Sequence, residues 1–166
     1  MVEVYVSIGS NIDREKHIRD AITGMRREFG ELRLSPVYET AAVGFDGPPF
    51  YNLVASFNAD DLAAIRQQLV SLEQLAQRQR SATKFSSRTL DLDILLFGDA
   101  DLHHDGFDIP RAEILRYAFV LKPLSDLAPD VRYPGSDKTI QQLWREFCER
   151  QPQSATNIQV IDLQDL

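Results

Sequence analysis

The segment Arg88-Thr89-Leu90-Asp91-Leu92-Asp93-Ile94-Leu95-Leu96-Phe97-Gly98, RTLDLDILLFG, decides how this chain is read. Its apolar content and its glycine end predict a buried strand, yet two carboxylates sit inside it. Residues two apart on a strand share a face, with Cα atoms about 6.5 to 7 Å apart, so Asp91 and Asp93 converge on one side while Leu90, Leu92 and Ile94 line the other. Two carboxylates held side by side near a core repel and lose hydration, and a hard cation relieves both penalties. Mg2+ takes one or two carboxylates together with substrate phosphates. A pair of ions about 3.5 to 4 Å apart can also be bridged this way. The competing reading, commoner for an isolated Asp-x-Asp, places both side chains at a solvated strand end. Immediately upstream, Arg78, Arg80, Lys84 and Arg88 put four cations within eleven residues. Alone, such a run is more often a solvated helix face. Beside two aspartates, arginine forks that match phosphate oxygens point to a nucleotide triphosphate.

Working outward, VEVYVSI (2–8) predicts a strand, broken by the turn residues Gly9, Ser10 and Asn11. A helix follows, with Ile18, Ile22, Met25 and Phe29 at helical spacing, Asp13 as its cap and Gly30 at its C-terminal left-handed position. ELRLSPVYET (31–40) predicts a strand interrupted by Pro36 and therefore near a sheet edge. A loop over 41–49, with two glycines and two prolines, leads to a strand in FYNLVASF (50–57). A second helix carries Leu62, Ile65, Leu69, Leu72 and Ala76 on one stripe, is capped by Asp60 or Asp61, and runs out near Arg80. After the opening strand come a turn around 98–106, a helical turn after Pro110 and the segment FVLKPLSDLAPDV. A last helix over 139–150 and a short strand in IQVID complete the chain. The order βαββαβ predicts an α+β sheet with helices on one face.

Composition narrows the function classes. At 166 residues and 43% hydrophobic content, the chain is read as one domain over 1–166 with a core that needs no staples. Its single cysteine, Cys148, reads as a helix-packing residue, excludes a disulfide framework or a cysteine zinc site, and suits a reducing compartment. No apolar run approaches a membrane span, and the first strand begins without a basic leader, so a cytoplasmic protein with no membrane partner is expected. A formal net charge of -7 disfavours a nucleic-acid surface. Any polyanionic ligand must meet a local basic patch. The chain has no Gly-x-x-x-x-Gly-Lys-Ser/Thr loop and no protein-kinase set around LFGD.

SIGSN (7–11), YET (38–40), FYN (50–52), RTLDLDILLFG and FVLKPLSDLAP (119–129) together resemble the 6-hydroxymethyl-7,8-dihydropterin pyrophosphokinase family over nearly everything up to about Arg150. The resemblance implies a ferredoxin-like α+β fold, a mostly antiparallel sheet with helices packed on it. It implies transfer of pyrophosphate from MgATP to the hydroxymethyl group of 6-hydroxymethyl-7,8-dihydropterin, with release of AMP, in folate biosynthesis. Asp91 and Asp93 would then hold two Mg2+ ions, and Arg78 and Arg88 would grip the phosphates. Glu73, Arg80, Ile94, Arg111 and Arg116 would stand on the ATP side. Phe50 and Phe119 would sandwich the pterin, Asn52 would read its polar edge, and Gly9, Thr40, Ala41 and Val43 would surround it. By residue type alone, Phe50 and Phe119 read as core and Glu73 as an exposed helix residue.

The chain also departs from that family's pattern. Arg111 stands where histidine is usual, Tyr117 where arginine is common, with Arg116 one position away as compensation, and Phe85-Ser86-Ser87 replaces a Trp-Gly-Pro-like triplet. His103 and His104 fall in a polar turn and read as solvent-exposed. The departures leave the aspartates and aromatics in place, so they bear on nucleotide affinity and on the acceptor more than on the chemistry. Two alternatives accompany the main reading: a paralogue acting on a related pterin, and a catalytically retired protein that binds pterins or nucleotides.

Overall fold

The computed structural model describes residues 1–78 and 89–166. The first strand, β1 (Val2–Ser10), shows how the layers arise. Its period-two alternation turns Val4, Val6 and Ile8 into one apolar cluster and Tyr5 into another, while Ser7 and Gly9 follow Tyr5 onto a cavity. The remaining elements are α1 (Arg14–Phe29), β2 (Arg33–Leu34), β3 (Val37–Thr40), β4 (Phe50–Ala59), α2 (Leu62–Arg78), β5 (Asp91–Phe97), a 3-10 turn (Ala112–Leu115), α3 (Ala118–Leu127), α4 (Ile140–Arg150), α5 (Pro152–Thr156) and β6 (Ile158–Ile161). The sheet runs β5-β1-β4-β3-β6, with β2 also beside β4, and every pairing is antiparallel. In chain order its first four main strands stand fourth, first, third, second. That is two interlocked βαβ units, the ferredoxin-like arrangement.

Helices cover both faces, not one. Ile18, Ile22 and Met25 of α1 with Ile65, Leu69 and Leu72 of α2 bury the Val4, Val6, Ile8, Leu53 and Phe57 side. Val120, Leu121 and Leu124 of α3 with Ile140 and Phe147 of α4 bury Tyr5, Val54, Leu95 and Leu96 on the other. In this second layer α4 is the predicted last helix, while α3 is concealed in the sequence by Pro123, which lies inside it. An interior proline costs about 3 kcal/mol of helix stability, and burial of Leu121 and Leu124, each at most 1% exposed, offsets it. A β-bulge makes that side possible: Val6 pairs with Ile94 but Tyr5 pairs with Leu96, so Leu95 is an extra residue in β5 and both Leu95 and Leu96 reach the α3/α4 cluster.

Smaller differences have local causes. Asp13 precedes α1 with φ 43° and makes no side-chain cap; its carbonyl accepts the His17 N–H instead. Gly30 has φ 84° but ψ -142°, a positive-φ exit outside the left-handed helical region. Asp61, not Asp60, caps α2 by accepting from the Ala64 N–H at 3.0 Å. Pro36 splits the predicted strand into β2 and β3, and β3 is not at the edge, because β6 pairs along Val37–Thr40. Thr139 and Gln142 form a reciprocal capping box on α4. No described helix is long and apolar enough to cross a membrane.

Candidate functional site

The α3/α4 layer covers only part of its sheet face. Beyond it, the same face presents Ser7 and Gly9 of β1, Phe50 and Asn52 of β4, and Asp91 and Asp93 of β5, and these floor a cavity of about 510 Å³. Alternation alone places them: Gly9 pairs with Asn52 across β1/β4 and with Asp91 across β1/β5, so all three project together. The walls are the end of β3 and the loop after it, through Thr40, Ala41, Val43 and Phe45, and the segment leading into α3 with its first turn, through Arg111, Glu113, Tyr117 and Phe119.

The motif residues that read only as turns hold these walls. The buried Ser10 hydroxyl donates to the Thr89 carbonyl at 2.5 Å, tying the end of β1 to the entry of β5. Asn11 Nδ2 donates to the Pro48 carbonyl at 3.1 Å, and Arg14 to the Pro49 carbonyl at 3.0 Å, so the loop over 41–49 is anchored at its far end. Arg14 also pairs with Glu39 at 2.7 Å and lies over the Tyr51 ring. The Tyr38 hydroxyl donates to Asp126, which also pairs with Lys122, and so β3 is fastened to α3. Burial first, and the Asp126 carboxylate second, push the Tyr38 phenol well above its ordinary pKa.

Within the cavity the polar groups are oriented. Asn52 Nδ2 donates to Thr40 Oγ1 at 2.8 Å. A Cβ on Gly9 would stand 2.8 Å from Asn52 Oδ1, so any larger residue there would displace that amide from its present position. The Phe45 and Phe50 rings meet edge to face at 6.2 Å between centroids, and Tyr117 stacks on Phe119 at 4.9 Å and 18°. Phe50 and Phe119 are half-buried, as aromatics open to a cavity should be.

A second cavity, of about 340 Å³, opens along the outer edge of β5. Glu73 reaches from α2 to accept the Leu92 N–H at 2.8 Å, which shows that this edge faces outward. The alternation of an antiparallel ladder turns the Ile94 N–H and C=O the same way. Arg66, Val70, Phe107 and Asp108 complete the lining. Asp91, Asp93 and Arg111 line both cavities. Arg111 lies 3.5 Å from Asp93 and 3.0 Å from Glu113. Among the described residues no group of three or more His, Cys, Asp or Glu side chains is placed to hold a metal, so an ion on Asp91 and Asp93 would complete its shell with water or substrate oxygens.

The structure therefore brings Gly9, Thr40, Ala41, Val43, Phe50, Asn52 and Phe119 to one cavity, and Glu73 and Ile94 to the other, with both aspartates and Arg111 between. Arg78 is exposed at the end of α2, and Arg116 is exposed and lines neither cavity. Arg80, Lys84, Phe85-Ser86-Ser87 and Arg88 lie outside the described residues. Sequence reasoning missed Glu113, Arg66 and Phe107 at these cavities. A lone acid in a 3-10 turn and an arginine on an amphipathic helix carry no signal of their own, and only the fold brings them in.

Residues 5–129 match a family model described as 7,8-dihydro-6-hydroxymethylpterin-pyrophosphokinase. Over 140 residues the chain is 39% identical to the 2-amino-4-hydroxy-6-hydroxymethyldihydropteridine pyrophosphokinase of Pseudomonas aeruginosa, covering 79% of this chain and 83% of that protein. It is 32% identical over 152 residues to a folic acid synthesis protein of Pneumocystis carinii, covering 88% of this chain but only 20% of that longer protein. The fold superposes on the crystal structure of a Plasmodium falciparum HPPK-DHPS chain with TM-score 0.74 at 14% identity, over 94% of this chain and 43% of that one.

Proposed function

The chain belongs to the 7,8-dihydro-6-hydroxymethylpterin-pyrophosphokinase family and is an ATP-dependent pyrophosphokinase of folate biosynthesis, and from that premise we propose how its residues divide the reaction. The pterin lies in the larger cavity, its ring between Phe50 and Phe119 and its polar edge toward Asn52, with Gly9, Thr40, Ala41 and Val43 around it. A fused bicyclic ring needs such a slot, apolar on its faces and polar at its rim. ATP lies along the outer edge of β5, its nucleoside in the second cavity beside Glu73 and Ile94. Its triphosphate crosses to the first cavity over Asp91 and Asp93.

The observation that carries this division is that Asp91, Asp93 and Arg111 line both cavities. Donor and acceptor must meet where the pyrophosphoryl group passes, and the two cavities meet there. The charge is also telling. Asp91 and Asp93 face the junction and Glu113 lines the larger cavity beside them, with Arg111 as the described cation among them, a surface that would repel a bare triphosphate. Two Mg2+ on the aspartates fit that donor set, and bound there they would neutralise charge across the triphosphate. The chain's own part is placement. It holds the hydroxymethyl oxygen in line with the β-phosphorus, so that the new O–P bond forms as the bond to the α,β-bridging oxygen breaks. AMP then leaves and the hydroxyl proton passes to solvent. Arg78, Arg80, Arg88 and Arg111 would supply the phosphate-gripping forks, with Arg116 further out.

AMP release from MgATP, measured with and without 6-hydroxymethyl-7,8-dihydropterin, tests the assignment. AMP should form only when both substrates are present. Formation of ADP, or ATP turnover indifferent to the pterin, would overturn it.

A further inference from the structure

We propose that Arg111 and Glu113 form a charge latch on Asp93: Arg111 neutralises that carboxylate before a divalent cation binds, and Glu113 shares the guanidinium so that the cation can take Asp93 over. The proposal rests on the reading of Asp93 as a metal ligand and deepens it.

The anchor is the backbone. The Arg111 N–H donates to the Leu95 carbonyl at 3.0 Å, fixing the residue beside the end of β5, and the Ala112 N–H donates to Asp108 at 3.1 Å, fixing the turn that carries Glu113. From there the guanidinium reaches back along the strand, with Nη2 3.5 Å from Asp93 Oδ1 and Nε 3.0 Å from Glu113 Oε2. The three side chains are each about a third exposed, at 31%, 28% and 33%, so their attraction is only partly screened. Asp93 has further interactions, and Arg111 is one competitor for it.

The pair of Arg111 with Glu113 is unfinished. Nε and Oε2 are both buried and within ion-pair distance, yet they lie off the N–H axis, so neither makes a hydrogen bond. Buried polar atoms left in that state are unfavourable, and a rotation of the guanidinium about Glu113 would align them. The pull of Asp93 holds the guanidinium in its present orientation. A divalent cation on Asp93 would cancel that pull and repel the guanidinium, which Glu113 would then retain in the site, aligned and facing the junction of the two cavities. Glu113 is thus a positioning residue that acts through Arg111.

The test is Mn2+ binding to the full chain without nucleotide, followed by the paramagnetic signal of free Mn2+. Removing the competing cation in Arg111→Ala, or its charge alone in Arg111→Gln, should tighten Mn2+ binding roughly two- to fivefold, the scale of a partly exposed ion pair. Glu113→Gln should weaken it about twofold, because Arg111 then belongs to Asp93 alone. The double variant Arg111→Ala/Glu113→Gln should bind as Arg111→Ala does. A general field effect gives additive changes and overturns the latch, as do arginine variants with unchanged or weaker binding. Asp93→Asn is the control for the reading beneath. If it binds Mn2+ like the wild type, Asp93 is no ligand and the latch falls with that assignment. If it loses binding while the arginine variants are unchanged, the latch alone fails.

Discussion

Val4, Val6 and Ile8 of β1 disappear beneath α1 and α2, while Ser7 and Gly9, alternating with them in the same strand, face an open cavity; β4 and β5 repeat the pattern with Leu53 against Asn52 and Leu92 against Asp91 and Asp93. The strands are shared, so strand chemistry cannot explain why one face is sealed and the other works. The difference is helix cover. The α1/α2 layer closes its face, whereas α3 and α4 reach only to Val54 and Leu95 and leave the ends of three strands bare. A rigid sheet packed on one side can thereby hold carboxylates, an amide and aromatics in fixed relation on the other.

Substitutions should divide along the same line. The largest effect belongs to the open face: Asp91→Asn or Asp93→Asn should lower turnover by about a thousandfold, the scale of removing an essential electrostatic group, with a thermal midpoint close to wild type. Retained turnover in both would break the contrast. On the sealed face, Leu53→Ala removes a side chain that is 1% exposed and should cost about 2 to 5 kcal/mol of stability in chemical denaturation. The kinetic constants of the folded fraction should stay unchanged. Phe119→Ala should weaken pterin binding by about 1 to 3 kcal/mol and nucleotide binding much less, read by calorimetric titration of each ligand. Equal weakening of both would move Phe119 from the slot to the core.

The smallest effect lies outside both faces, at His103, which bridges Asp101 at 2.7 Å and Asp108 at 2.8 Å. The hydrogen bond to Asp108, helped by Asp101, raises the His103 pKa above 6.5. Its contribution is therefore full below the unfolded value near 6.5 and is lost as pH rises through the higher folded value. Asp108, held below 3.8 by the Ala112 N–H and then by His103, stays ionised throughout that window. His103→Asn should then lower the thermal midpoint at pH 5.5 and change it little at pH 8.5. A loss equal at both values would mean that the imidazolium adds nothing.

What the sequence disclosed follows the same physics. Period-two alternation in RTLDLDILLFG separated Asp91 and Asp93 from Leu90, Leu92 and Ile94 correctly, because the bulge at Leu95 falls beyond them. Helical stripes located α1 and α2. Of the second helical layer, α4 is legible as the helix over 139–150, whereas α3 is not, since Pro123 breaks the ordinary signal and the burial of Leu121 and Leu124 restores the helix. The supports of the site were equally silent. Nothing in SIGSN says that Ser10 will reach the Thr89 carbonyl or Asn11 the Pro48 carbonyl, and Glu113 gains meaning only when Arg111 is turned toward it.

The division of labour between the two cavities is tested most directly by phosphorus NMR of a completed reaction of MgATP with 6-hydroxymethyl-7,8-dihydropterin. Transfer across the Asp91/Asp93 junction predicts that the β- and γ-phosphorus signals of ATP move together into one diphosphate ester of the pterin while the α-phosphorus appears as AMP. A spectrum of ADP with a pterin monophosphate, or with inorganic phosphate, would contradict it.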